Sequence, residues 1–187
     1  MKALLEIALA ALVVALSGCG SVYTYQPVGE RPAAIEPDDW DGMWIGEDGG
    51  AIHLKVTDRD NATLKIADLA WKNDAPRLSV TTAYLRMSGS WLIASARADS
   101  DDELGASKAE IFYWLRAERK RDTLMLWVPD AQQFAVLVER GLLPGKLEGR
   151  SVYLDALDAG HLEGITREKH GMLFHWDKPL VFRRIAR

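Results

Sequence analysis

The sequence predicts a mainly β fold: an antiparallel meander curled into a barrel or half-barrel, with a two-helix insertion before a C-terminal hairpin, α+β overall. Three observations point there. From Trp40 to Val128, apolar and polar residues alternate in short runs separated by turn residues, which is the period of half-buried strands. At Pro129 that alternation stops, and apolar residues then recur at helical spacing. Finally, so many sequential strands leave open edges unless the sheet closes on itself.

The first strand is the short "GMWIG" (42–46). In "AIHLKVT" (51–57), Ile52, Leu54 and Val56 share one face, and "DRDN" (58–61) supplies a hairpin turn. "ATLKIADLAW" (62–71) moves from Leu64 and Ile66 to Leu69 and Trp71, a change of phase that predicts a bulge between 66 and 69. "RLSVTTAYLRM" (77–87) and "WLIASARA" (91–98) flank an SGS turn, and the acidic loop "DSDDELGAS" (99–107) follows. "AEIFYWLRAE" (109–118) and "TLMLWV" (123–128) form the last hairpin of the meander, across "RKRD".

Helix signals follow. Pro129 and Asp130 start a segment over 129–141, with Phe134, Leu137 and Val138 at helical spacing and Gly141 as its stop. "LLPGKLEGR" (142–150) reads as a loop. Ser151 caps a second helical segment over about 151–167, with Tyr153, Leu154 and Leu157 on one side. "MLFHW" (172–176) and "LVFRRI" (180–185) then read as a closing hairpin.

The amino-terminal end carries an address. Ten apolar residues, "IALAALVVAL" (7–16), follow Lys2 and Glu6. That run is short of the roughly 20 residues a membrane-spanning helix needs, and fits a secretory signal. Leu16-Ser17-Gly18-Cys19 resembles the lipobox of bacterial lipoprotein precursors. The resemblance implies a signal peptide over 1–18 and an acylated Cys19 as the first residue of the mature chain. Gly20-Ser21 after the cysteine, with no Asp, implies the outer membrane, with the soluble part on the periplasmic side. Cys19 is the only cysteine, as expected of an exported chain whose one thiol is lipidated. Residues 19–39, with three prolines, read as a flexible tether, and 40–187 as a single barrel-like domain.

Gly42-Met43-Trp44 at the start of the first strand resembles the Gly-x-Trp of lipocalins and related calycins. In that family the tryptophan plugs the closed end of the barrel against an arginine from a late strand, which implies Arg183 or Arg184 here. The two-helix insertion departs from the plain lipocalin order.

A formal charge of −4 argues against nucleic acid as a partner. No Gly-x-Ser-x-Gly elbow, phosphate-cradling loop or calcium loop is present, so no catalytic residue, cofactor or metal site is assigned. His53, His161, His170 and His175 show no ligand spacing, although the last three fall within fifteen residues. Asp99, Asp101, Asp102 and Glu103 read as a solvated loop tip. Arg116, Arg119, Lys120 and Arg121 read as an exposed basic turn, with contact to anionic headgroups as the functional alternative.

The tryptophans are the remaining signal. Phe112 and Trp114 alternate with Ile111, Tyr113 and Leu115, so both faces of that hairpin are apolar. The second face needs a cover: the helices, a partner or a ligand. Trp44, Trp71, Trp91, Trp114 and Trp127 are the candidate ligand-binding side chains. The function expected is an envelope lipoprotein, attached to the membrane through lipidated Cys19, that binds an apolar or amphipathic ligand. The alternative is a non-catalytic accessory protein docking on another envelope protein through its helical insertion.

Overall fold

A computed structural model describes residues 20–72, 75–98, 110–167 and 172–186, with side chains described except at 69–72, 75–77 and 186. The meander predicted from alternation is present. Seven consecutive strands, β3 (Gly42–Gly46), β4 (Ala51–Asp58), β5 (Thr63–Lys72), β6 (Ala75–Ser88), β7 (Trp91–Arg97), β8 (Phe112–Lys120) and β9 (Thr123–Trp127), pair each with the next. The last strand, β12 (Leu180–Ala186), lies between β9 and β3 and closes an eight-stranded antiparallel barrel.

Among the described residues, four short strands lie outside the ring. β2 (Arg31–Pro32) pairs with β6, and β1 (Val22–Thr24) lies between the start of β8 and the β10 (Gly145–Glu148)–β11 (Ser151–Leu154) hairpin. The described residues also form three short helices: α1 (Pro37–Trp40), α2 (Ala131–Glu139) and α3 (Ala159–Thr166).

Alternation along the strands produces two apolar cores, one on each side of the β7–β8–β9 wall. Inward residues such as Trp44, Leu54, Leu64, Leu85, Ala117 and Leu124 fill the barrel. On the outer face, Ile93, Trp114 and Trp127 cluster with Phe134 of α2, Ile165 of α3 and Phe174. The second apolar face of the β8–β9 hairpin is therefore covered from within the chain, by the helices and the β1–β11 strands.

Several expectations are corrected. The bulge falls between Val56 and Asp58 on β4, beside the turn, and not between 66 and 69. β5 stays in phase, so Asp68 takes the inward place after Leu64 and Ile66; it is 3% exposed and partnered there. Residues 151–154 form a strand and not the start of a helix, because the edge of β1 is there to pair with them. The 142–150 loop contains β10. The closing hairpin does not form: β12 pairs with β9 and β3, and Phe174 makes only a bridge to Pro129. The tether is packed, with Val22, Val28, Ala33 and Ile35 buried. It carries the apolar residues that the two cores still need.

Candidate functional site

The barrel end at the start of β3 is closed by side chains from four elements. Trp44 is fully buried, and its indole N–H donates to the Trp40 carbonyl at 3.0 Å. The Arg184 guanidinium lies 5.1 Å from the Trp44 ring centre and donates to the Asp38 carbonyl at 2.8 and 3.0 Å. Arg119 reaches Asp39 at 2.9 Å and lies over Trp40. Of the two arginines on the last strand, Arg184 faces Trp44 and Arg183 is exposed.

Arg116 sits on the outer face of the wall. Register places it between Ile93 of β7 and Trp127 of β9, with Trp91 two residues before Ile93. The segment after α3 is held near this wall: the His175 amide donates to the Val128 carbonyl at 3.0 Å, and the Asp130 amide to the Leu173 carbonyl at 2.9 Å. Trp176 thereby completes a cage. The Arg116 guanidinium carbon lies 4.6, 4.8 and 4.7 Å from the ring centres of Trp91, Trp127 and Trp176, well within cation–π range. Its side chain is 23% exposed, so it is not part of a fully solvated basic turn. Burial lowers its pKa, with the Glu118 charge opposing; a guanidinium keeps its charge regardless.

The Arg116 side chain makes no hydrogen bond to another described residue, and its Nε is buried without a partner. The Trp176 indole N–H is also buried and unpartnered. Among the described residues the nearest carboxylate oxygen, on Glu118, is 3.8 Å from Arg116, beyond hydrogen-bond distance, while Glu118 holds Lys120 at 2.6 Å.

Arg116 opens onto a cleft of about 640 Å³ between the β2–α1 segment and the β7–β8 strands, within the size range of small-molecule sites. Its apolar lining includes Ala33, Ile35, Trp40, Met87, Trp91 and Leu92, and its charged lining is Arg31, Asp39, Arg116, Glu118 and Arg119. A second cleft of about 470 Å³ runs between the β6–β7 turn and α3, sharing Ser90 and Trp91.

The five candidate tryptophans are thus separated. Trp44 lies inside the barrel, and Trp91, Trp114 and Trp127 lie outside it; Trp114 is 1% exposed. Trp91 alone of these lines the two clefts. The Trp71 side chain, Cys19 and the signal segment, His170, and Asp99 to Glu103 lie outside the described residues. His161 is engaged in the capping box of α3 with Asp158, and His175 faces Asp130 at 4.0 Å. No cluster of three metal-ligating side chains occurs among the described residues.

Sequence reading missed the Arg116 cage and the part Trp40 plays in the cleft. One signal was available: Arg116 follows Phe112 and Trp114 at strand spacing, on the face that needs a cover. No protein-family profile, curated protein or solved structure matches this chain.

Proposed function

We propose that this chain is a lipid-anchored protein of the bacterial envelope that binds an amphipathic ligand and has no catalytic role of its own. The anchor is Cys19, acylated after removal of residues 1–18, and the domain lies on the periplasmic side of the outer membrane. The observation that carries the binding role is the cleft beside the caged Arg116. It is about 640 Å³ in volume, with an aromatic and aliphatic lining and a few charged groups at defined positions. The Gly-x-Trp start and the Arg184–Trp44 contact support a lipocalin-like reading of the barrel.

Native mass spectrometry of the protein purified from cells tests the binding role. A co-purifying small molecule, lost when Trp91 is replaced by Ala, is the expected result. A bare monomer that captures a defined envelope protein through residues 129–166 supports the docking alternative instead.

A further inference from the structure

We infer that the cleft selects an amphipathic anion, its carboxylate or phosphate headgroup held by Arg116 and Arg31 and its apolar body lying on Trp40, Trp91 and Leu92. This rests on the binding role proposed above and adds the chemistry of the ligand. The charge balance of the lining points to it. The cleft holds three arginines and two carboxylates. Both carboxylates have closer cations: Asp39 lies 2.9 Å from Arg119 and Glu118 2.6 Å from Lys120. Arg116 is left with the loose contact to Glu118, and exposed Arg31 has no ion pair among the described residues.

Arg116 is the decisive group. A guanidinium has five N–H donors; here Nε is buried without an acceptor, which is costly, and the side chain is still 23% exposed. Three indole rings surround its charge, Trp91 and Trp176 standing at 86° to each other, but an indole offers no carbonyl, carboxylate or hydroxyl acceptor to its N–H groups. An anion entering from the cleft meets a charged donor set already oriented, so little ordering is needed on binding. A cationic ligand meets two uncompensated arginines, and a neutral apolar one leaves the donors unfilled.

The test titrates the purified full chain with decanoate, decyl phosphate, decanol and inorganic phosphate, read by isothermal calorimetry and by the change in intrinsic tryptophan fluorescence, to which the three rings around Arg116 contribute. Decanoate or decyl phosphate should saturate the signal, with decanol and inorganic phosphate at least roughly tenfold weaker. Arg116→Met and Arg31→Gln should each weaken the anionic amphiphile by about tenfold and leave decanol unchanged. Arg31 is exposed, so its variant answers the question even if Arg116→Met fails to fold. Decanol binding as tightly as decanoate overturns the anionic headgroup while leaving the binding role standing. Inorganic phosphate binding as tightly as decyl phosphate overturns the amphiphile. If none of the four binds, the inference and the binding role of this cleft both fall.

Discussion

Asp41 joins the turn before β3 to the irregular end of β4. Its carboxylate accepts from the Val56 amide at 2.7 Å, beside the register shift, and from the Lys55 ammonium. Burial alone pushes this carboxyl up, but the hydrogen bonds from Lys55 and Val56, with the Lys55 charge, outweigh it and hold its pKa below the ordinary value. A carboxyl lowered in the folded state contributes stability above its unfolded pKa and loses it as pH falls through the folded one. Asp41→Asn should therefore cost about 1 kcal/mol at neutral pH. Urea titrations should show that difference vanishing in strong acid. Arg184 offers a second residue-scale contrast. It is nearly enclosed, stacks on Trp44 and satisfies the Asp38 carbonyl, whereas neighbouring Arg183 is solvated. Thermal unfolding should show Arg184→Ala losing about 2–3 kcal/mol and Arg183→Ala changing by about 0.5 kcal/mol or less.

Among the elements, α2 depends most on its contact with the barrel. Nine residues are too few to hold a helix in water alone. Asp130 caps it, accepting from the Gln132 and Gln133 amides at 2.9 and 3.3 Å. Phe134 is fully buried, edge-on to Trp114 at 5.5 Å and to Phe174 at 6.3 Å. Asp130→Ala should cost about 1 kcal/mol and Phe134→Ala about 3–5 kcal/mol, both measured by equilibrium unfolding. Only the second should shift the native-state tryptophan emission, because it opens a void against the Trp114 ring. The α2 signals were legible locally: a proline, a capping aspartate, three apolar residues and a terminal glycine. The β11 strand was not. "SVYL" suits a strand or a helix equally, and its partner β1 comes from residues 130 positions earlier.

For the whole molecule, β8 is the central element. Its inward residues belong to the barrel, its outward residues to the helical layer, and its two ends pair with β1 and β9 along the same edge. The described chain reaches Val22 of β1 with only Gly20 and Ser21 between it and Cys19. An extended residue spans about 3.3–3.6 Å, so the anchor proposed at Cys19 would hold the β1–β10–β11 side of the domain within about 10 Å of the bilayer surface. Cys19→Ser should leave the chain at precursor length and abolish acyl-dependent membrane attachment, read by fractionation and intact mass. Wild-type protein with a bare thiol and Met1 still present would overturn the anchor.

The order of strands in the meander, the turns between them and the start of α2 follow from nearest-neighbour patterning, because alternation and turn chemistry act over a few residues. The need for a cover over Trp114 was equally legible, since a strand apolar on both faces has to bury both. What covers it, where the barrel closes, and which side chains surround Arg116 were decided by contacts between distant segments. β12 joins β9 to β3, residues 20–36 supply buried side chains and one wall of the cleft, and Trp176 closes a cage opened by Trp91 and Trp127. Those contacts depend on which surfaces remain unburied once the local elements have formed, and no short stretch of sequence carries that information.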